Sequence, residues 1–145
     1  MSQPAGQRKF SSHFAEIPTS RCKELLTEHR IGRVAWNSAD SPRIMPVTYQ
    51  YRNGIVVFRT APDGPLVSLK RRTPVAFEID HIDEEHEKGW SVVVLGFSEG
   101  VTNTYSLSTL WQSGPVPWAG GDRTVFIAIT PQSITGRSVQ SPAAD

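Results

Sequence analysis

The dipeptide Asn53-Gly54 constrains the fold more than any other feature, because it separates two apolar runs at residues 43–51 and 55–60. Asn-Gly between such runs is the strongest short signal for a β-hairpin. Other runs of strand type follow at regular spacing, separated by turn residues. They cover residues 33–36, 75–80, 89–97, 124–130 and 134–139. The sequence therefore predicts a mainly β domain of six or seven strands in a meander-like order, closed or partly closed as a barrel.

Pro46 lies inside the run at 43–51. Proline has no backbone N–H to donate to a strand ladder, so within sheets it is confined to edges and bulges. We therefore expect this part of the strand at an edge of the sheet or at a bulge.

The first predicted helix begins at Ser20, its expected N-cap. Apolar residues from Cys22 to His29 recur at i, i+3, i+4 and i+7, which is one face of a helix. Gly32 is expected to end the helix in the left-handed conformation. Cys22 is then a small core residue rather than a reactive thiol.

Two further short helices are predicted. One covers residues 66–72, where Pro65 suits the first turn. The other covers residues 104–112, where Leu107, Leu110 and Trp111 have helical spacing.

The chain of 145 residues is long enough for one domain, which we place at residues 19–139 between a flexible arm (1–18) and a tail (140–145).

Lys and Arg total 15 against 14 Asp and Glu, and this balance argues against nucleic-acid binding through bulk charge. No apolar run approaches the roughly 20 residues needed to cross a bilayer, and the polar N-terminus is unlike a signal peptide. A single cysteine excludes an internal disulfide. We expect a soluble cytoplasmic protein without a membrane or nucleic-acid partner.

The run at 89–97 lacks clean alternation of apolar and polar residues. This pattern predicts a strand buried on both faces. In a small domain a second copy of the chain is the simplest cover for the outer face, so we expect a homodimer.

The histidines favour no catalytic or metal site. His81 and His86 flank acidic residues in a polar segment at 81–88, and such a loop does not hold ligands as rigidly as a zinc site requires. A solvated loop is the favoured interpretation, and no metal site is predicted. His13 lies in the arm, and His29 is interpreted as structural. Motifs for a nucleophile elbow, a P-loop or a dinucleotide-binding loop are absent from the sequence.

Arg59-Thr60 stands at the end of a strand, before a Gly/Pro loop and a short helix. A guanidinium, a hydroxyl and free helix N–H groups that meet there favour a phosphate site. The competing interpretation is a solvated strand end beside a basic helix face that carries Lys70.

The tryptophans divide into two pairs. Trp90 begins a long strand and Trp118 lies next to Ala119 and a Gly-Gly pair, where an indole could stack on a flat ligand. Core packing remains open for both, and it is the favoured interpretation for Trp36 and Trp111.

Six segments, taken in order, resemble a known family: the flavin-binding split-barrel proteins related to pyridoxamine 5′-phosphate oxidase, above all the small actinobacterial and nitroimidazole-resistance-like members. The segments are Ile31-Gly32-Arg33-Val34-Ala35, Pro42-Arg43-Ile44-Met45-Pro46-Val47-Thr48-Tyr49, Val57-Phe58-Arg59-Thr60-Ala61-Pro62, Val75-Ala76-Phe77-Glu78-Ile79-Asp80, Gly89-Trp90-Ser91-Val92-Val93-Val94-Leu95-Gly96 and Ile134-Thr135-Gly136-Arg137. The match runs from about residue 20 to about residue 139.

The resemblance implies a six-stranded split β-barrel with short flanking helices, paired as a homodimer with flavins at its interface. It implies that strand residues near Pro46 line the isoalloxazine ring, that Arg59 holds the ribityl phosphate, and that Trp90 reaches the flavin from the partner subunit. Trp118 and Arg123 resemble the segment that closes the site. The full implied set is Arg43, Met45, Pro46, Val47, Thr48, Arg59, Thr60, Lys70, Trp90, Ser91, Trp118 and Arg123.

The sequence departs from the family at Gly64-Pro65, where members commonly carry Ser-Lys and the lysine meets the phosphate. A charge-assisted contact of about 1.5–3 kcal/mol is thereby absent. Lys70, one turn later, is the candidate to replace this lysine at the phosphate. FMN is the expected cofactor; a deazaflavin, or no cofactor, remains open.

Two functions remain open from the sequence. The first is an FMN-dependent oxidoreductase that acts on a small-molecule substrate of unknown identity. Its catalytic residues are unassigned, because no residue stands out as an acid or base, and Arg123 is the only candidate for a substrate phosphate. The second is a non-catalytic or deazaflavin- or haem-binding barrel that has lost the usual phosphate clamp.

Overall fold

The computed structural model describes residues 14–142. Its elements in chain order are β1 (Phe14–Ile17), α1 (Thr19–Glu28), β2 (Ile31–Asn37), β3 (Pro42–Arg52), β4 (Ile55–Thr60), a 3₁₀ helix (Pro65–Lys70), β5 (Thr73–Asp83), β6 (Lys88–Gly100), α2 (Thr104–Ser113) and β7 (Val125–Gln140).

Six strands close into an antiparallel barrel in the order β7-β4-β3-β2-β5-β6, since β6 pairs back onto β7. The mainly β split barrel expected from the sequence is confirmed. The Asn53-Gly54 turn is also confirmed, with φ of 53° and 78° at the two residues. β1 adds outside the barrel, along the C-terminal half of β7.

The barrel is open along one half of β3. This strand pairs with β2 from Pro42 to Thr48, but β4 joins its other side only from Tyr49 to Arg52. Pro46 lies in the half without β4, so its predicted position at an edge is confirmed. The missing N–H of Pro46 therefore removes no bond from the sheet.

Apolar side chains fill two layers. The barrel interior is packed by residues such as Val34, Phe58 and Phe77, and α1 covers one side of this core. The second, smaller layer lies between α2 and the outer face of β4 and β7, where Val57 and Phe126 are buried. The structure therefore covers β4 on both of its faces.

α1 is fixed to the barrel by its apolar face and by one buried hydrogen bond. Cys22 is fully buried, as predicted, and burial raises the pKa of its thiol. The buried Tyr49 hydroxyl donates to the carbonyl of Leu26 over 2.7 Å.

The N-cap prediction was wrong: Pro18 occupies that position, Ser20 lies within the helix, and no side chain caps it. The carbonyl of Pro18 accepts from the N–H of Cys22 over 3.0 Å and so begins the helix.

Gly32 does not end α1, because the helix leaves through His29 in an extended conformation and Gly32 belongs to β2. A glycine is needed at this position for another reason. A Cβ at Gly32 would lie 2.7 Å from Cε1 of Phe77 and 2.9 Å from the carbonyl oxygen of Glu78. The glycine therefore allows β2 to pass close over the core ring of Phe77.

The segment at 81–88 is a tight hairpin rather than a mobile loop. β5 and β6 continue to Asp83 and Lys88, and residues 84–87 form the turn. The imidazole Nδ1 of His86 lies 2.8 Å from the carboxylate of Asp83.

The predicted strands at 124–130 and 134–139 are one strand, β7, with an irregularity opposite Leu95 and Gly96.

The predicted domain boundaries are only partly described. Residues 14–17 of the predicted arm form strand β1, so the ordered part begins before residue 19. Residues 1–13, including His13, and residues 143–145 of the predicted tail lie outside the described residues. Neither helix of the described part is long and apolar enough to span a membrane.

The outer face of β6 is not covered within one chain. Val92 and Val94 point into the core, while Leu95 on the outer face is 49% exposed. Within one chain the residues of β6 therefore alternate between buried and exposed. The predicted burial of both faces is not observed in the single chain. The homodimer stays a prediction.

We predict that Gly32→Ala destabilises the fold by about 1–3 kcal/mol, because the new methyl overpacks the core against Phe77 and a backbone carbonyl. Thermal unfolding followed by circular dichroism measures the effect. Gly120→Ala is the matched control, since a Cβ there meets nothing within 4 Å. Equal melting temperatures for the two variants would contradict the close approach of β2.

Candidate functional site

A groove of about 480 Å³ runs along the open half of β3. β3 forms one wall, and the segment between α2 and β7 forms the other. The lining residues are Ile31, Met45, Pro46, Val47, Thr48, Arg59, Leu66, Pro117, Trp118, Ala119 and Arg123.

The backbone of β3 offers hydrogen-bonding groups to this groove. The N–H of Tyr49 donates to the carbonyl of Arg30, on the β2 side, over 2.8 Å. Backbone groups alternate in direction along an antiparallel strand, so those of Pro46 and Thr48 point away from β2. No strand pairs with this side before Tyr49. The groove wall thus presents carbonyl acceptors and the N–H of Thr48 in a row.

Arg59 lies at the far end of the groove, on the outer face of β4. Its Nε donates to the carbonyl of Arg123 over 2.9 Å, and its Nη1 donates to the carbonyl of Pro115 over 3.4 Å. The guanidinium also lies over the rings of Trp111 and Phe126, at 4.5 and 5.3 Å from their centroids. Arg59 therefore ties both ends of the 115–123 segment to the barrel.

The contacts of Arg59 correct the interpretation of Trp111. Core packing was predicted for this residue, but its side chain is 51% exposed. Its ring meets Phe126 edge-on and supports the Arg59 guanidinium. Trp36, by contrast, is buried in the core as predicted.

Arg123 brings a second guanidinium to the same groove. Its Nε is buried and has no hydrogen-bond partner among the described residues. A buried donor without a partner costs about 1–3 kcal/mol, and more when it is charged. An anion in the groove would supply the missing acceptor.

Trp118 stands at the mouth of the groove and is 76% exposed. It precedes Gly120 and Gly121, and Gly121 adopts φ of 96°, which favours glycine. A large exposed indole of this kind is available to stack on a flat ligand.

The groove brings together seven of the residues implied by the resemblance: Met45, Pro46, Val47, Thr48, Arg59, Trp118 and Arg123. The five others lie elsewhere in the single chain. Sequence reasoning missed Ile31, Leu66, Pro117 and Ala119, whose apolar or small side chains carry no signal that separates them from core or loop residues.

The five other residues have identifiable surroundings. Arg43 lines a different cavity and donates to the Ser38 hydroxyl over 3.4 Å. Thr60 is buried at the end of β4. Lys70 is exposed, with its stem beside Gly100, so it does not replace the missing phosphate lysine within this chain.

Trp90 and Ser91 lie on β6, which does not border the groove. The Trp90 ring packs edge-on against His29, with centroids 5.0 Å apart. Ser91 lines a cavity beside β1. Only a second copy of the chain could bring these two residues to the groove.

The groove lining contains no carboxylate, imidazole or thiol. Among residues 14–142, no three His, Cys, Asp or Glu side chains cluster as a metal site. The arrangement can bind an anion and a flat ring, and it offers no acid or base of its own.

Comparison with known proteins finds a matching family and a shared fold. The family model described as pyridoxamine 5′-phosphate oxidase matches residues 18–138. An uncharacterised protein of Mycobacterium tuberculosis is 29% identical over 140 residues, covering 90% of this chain and 91% of its own length.

Two solved structures show the same fold. The FAD binding protein from Mycobacterium smegmatis is 29% identical, with a TM-score of 0.74 over 87% of this chain and 98% of its own. A candidate 5-nitroimidazole antibiotic resistance protein from Bacteroides thetaiotaomicron is 12% identical, with a TM-score of 0.69 over 86% and 87% of the two chains. The second likeness concerns the fold alone.

We predict that Arg59→Lys loosens the 115–123 segment, because an ammonium cannot bridge two carbonyls in the planar geometry of a guanidinium. Cleavage by trypsin after Arg123 should become roughly tenfold faster, the factor that a loss of about 1.4 kcal/mol gives. Arg71→Lys is the control, since that exposed side chain makes no hydrogen bond, ion pair or ring contact within the described residues. Equal cleavage rates in both variants would show that Arg59 does not anchor the segment.

Proposed function

We propose that this chain, which belongs to the pyridoxamine 5′-phosphate oxidase family, binds a flavin in the β3 groove and acts as a flavin-dependent oxidoreductase. The buried, unpartnered Nε of Arg123 is the observation that carries the proposal. It lies in the same groove as the open strand edge and the exposed indole.

The ring of a flavin fits the wall of the groove. Its pyrimidine edge carries both hydrogen-bond donors and acceptors, and the unpaired edge of β3 near Pro46 and Thr48 offers both kinds of group. The exposed Trp118 ring supports stacking over the opposite side. Met45 and Val47 supply apolar surface along the same wall.

The flavin phosphate is proposed to lie against Arg123, with Arg59 as a second cation. Two N–H groups of Arg59 are used by backbone carbonyls, and its other N–H groups remain available. This pair is proposed to compensate for Pro65, which stands where the family resemblance implies a lysine. The Mycobacterium smegmatis protein is an FAD binding protein, so FAD is proposed beside FMN as a cofactor for this groove.

The flavin, when bound, would accept and donate the electrons of the reaction. The residues of this chain would bind and orient it: the β3 edge fixes the plane of the ring, and Arg123 fixes the phosphate. Because the groove lacks an acid or base, proton transfer would fall to the flavin, the substrate or water.

A second copy of the chain is proposed to complete the site with Trp90 and Ser91. Support comes from the outer face of the barrel, which Ser91 shares with the exposed apolar residues Leu95 and Ile44, whereas Trp90 packs partly buried against the core of its own chain. On the same face Arg33 is paired with both Glu78 and Asp80, at 2.9 and 3.0 Å. Exposed apolar residues beside a satisfied charge cluster are typical of a surface that a partner covers.

A non-catalytic flavin carrier is the second candidate. The occupied N–H groups of Arg59 and the proline at position 65 favour it, because both reduce the positive charge free for a phosphate. A bound flavin that is reduced and reoxidised without turnover of any tested substrate would select this candidate.

We predict that the purified protein binds FMN or FAD, seen as quenching of flavin fluorescence in a titration. Arg123→Gln should weaken that affinity about tenfold or more, since a charge-assisted contact is lost while the Arg123 carbonyl still accepts from Arg59. Arg71→Gln is the control, with the same change of charge on an exposed side chain without contacts. Absence of quenching with both flavins, but binding of a deazaflavin or of haem, would transfer the site to that cofactor.

We further predict a dimer in solution. Light scattering coupled to size-exclusion chromatography should give about twice the 16.0 kDa of one chain, with one flavin per chain. Leu95→Glu places a charge on the exposed outer face and should shift the protein to the monomer and weaken flavin binding. A flavin-loaded monomer would rule out the proposed roles of Trp90 and Ser91.

A further inference from the structure

One row of side chains crosses the outer face of the barrel from the β3 groove to β6. Pro46 on β3 lies opposite Arg33 on β2. Arg33 in turn lies opposite Glu78 on β5, and Glu78 lies opposite Val93 on β6. Directly opposed residues of antiparallel strands place their side chains on the same face of the sheet. The row therefore begins beside the groove and ends next to Ser91, which shares the outer face of β6 with Val93.

The centre of this row holds more negative than positive charge. Nη2 of Arg33 lies 2.9 Å from Oε1 of Glu78 and 3.0 Å from Oδ2 of Asp80. The side chain of Arg33 is 33% exposed, and those of the two acidic residues are 31% exposed. A single guanidinium thus serves two half-buried carboxylates, and one negative charge is in excess when both are ionised.

Among the described residues, the strands beside this cluster bring it no further charge. The residues opposite its members are Pro46 on β3 and Val93 and Ser91 on β6. Across the sheet, the next charged groups are Arg137 on β7, opposite Ser91, and Glu16 on β1, opposite Arg137. The excess charge is therefore not balanced by a neighbouring strand.

The two carboxylates of the cluster are close enough to share a proton. Burial and a hydrogen bond with Asp80 raise the pKa of Glu78, and the attraction of Arg33 offsets only part of this rise. Two carboxylates share a hydrogen bond only when one of them is protonated. The single chain therefore already holds a proton here more readily than an exposed glutamate does.

A dimer that brought Ser91 to the β3 groove of its partner would place this cluster at the twofold axis. The midpoint between Ser91 and its own copy lies on that axis, and the copy would lie beside Pro46. Only β2 and β5 stand between β3 and β6, so the axis would pass where Arg33 meets Glu78. Each cluster would then face its own copy, and two excess negative charges would meet.

The adjacent row of the same face suits a close contact. Ile44, Ala35, Ala76 and Leu95 lie opposite one another in that order across β3, β2, β5 and β6. The two alanines keep the centre of the face low, while Ile44 is 67% and Leu95 is 49% exposed at its sides. A second copy can therefore approach the charged row and exclude water from it.

We propose that the cluster of Arg33, Glu78 and Asp80 makes association of two chains depend on protons, so that each dimer takes up at least one proton from solvent as the two clusters meet. The inference rests on the proposed dimer of the flavin site. Covering an unbalanced carboxylate is costly unless it is neutralised, and protonation neutralises it. A group whose pKa rises on association strengthens the complex as the pH falls through that raised pKa, by up to tenfold per pH unit for each proton. The dimer is therefore tighter in mild acid than at neutral pH.

The test measures the dimer dissociation constant of the flavin-free full chain by sedimentation at about pH 5.5 and about pH 8. Glu78→Gln and Asp80→Asn each remove one carboxylate and leave the charge of Arg33 balanced. Glu85→Gln is the matched control, because it makes the same change at an exposed turn residue beyond the ends of β5 and β6. If the wild-type dimer does not dissociate on dilution, the same comparison is made with Leu95→Ala added to every variant, which removes exposed apolar surface from the outer face.

The expected result is that the wild-type chain and Glu85→Gln associate tenfold or more tightly at the lower pH. Glu78→Gln and Asp80→Asn should form a tight dimer whose dissociation constant differs less than about threefold between the two pH values. Dilution calorimetry of the wild-type chain in two buffers of different ionisation enthalpy should show at least one proton released per dissociating dimer.

Equal wild-type dissociation constants at both pH values would overturn the proposal. So would a pH dependence that survives in both Glu78→Gln and Asp80→Asn, because another group would then titrate. A dimer that a chelator dissociates at either pH would assign the charge balance to a divalent cation instead of a proton.

Failure of the proposed function is seen separately, in a flavin titration of the same samples. A proton-dependent dimer that binds no flavin would reject the flavin function and keep the role of the cluster. A monomer that binds flavin at both pH values would reject the role of the cluster and keep the flavin function.

Discussion

The structure depends on an incomplete ladder: β4 leaves β3 unpaired before Tyr49. A strand edge inside a folded domain presents backbone groups that need partners, and proteins usually cover such edges. Here the edge lies at the bottom of a groove, and Pro46 removes one donor that would otherwise point into it. On the other side the barrel is closed, because β6 pairs with β7 along most of its length.

The opening also explains which site residues the sequence could predict. Inside a sheet, neighbouring residues point to opposite faces, so a pair such as Arg59 and Thr60 cannot share one site: Arg59 faces outward under α2, and Thr60 is buried. A groove along an edge meets residues of both faces, and so Met45, Pro46, Val47 and Thr48 all line it. The resemblance placed these residues together with Arg59 and Thr60, but only an exposed edge brings consecutive residues to one groove.

Local signals predicted local structure. The Asn53-Gly54 turn and Pro46 at the edge depend on a few neighbouring atoms, and both were correct. Gly32 and Trp111 were misread because their roles depend on residues distant in sequence, Phe77 for the glycine and Arg59 for the indole. The orphan Nε of Arg123 had no sequence signal at all, since it follows from how the 115–123 segment folds back over β4. A pattern of residue types cannot show which donor is left without an acceptor.

The two arginines of the groove differ in what a ligand gains from them. A phosphate can use the remaining N–H groups of Arg59, but taking those that hold the carbonyls of Arg123 and Pro115 would release the segment that carries Trp118. Arg123 has nothing to release, because the cost of its buried Nε is present before any ligand arrives. An anion therefore gains more from Arg123 than from Arg59. Arg59 instead keeps Trp118 and Arg123 in place, so the arginine that the resemblance assigned to the phosphate acts in this structure as the anchor of the groove wall.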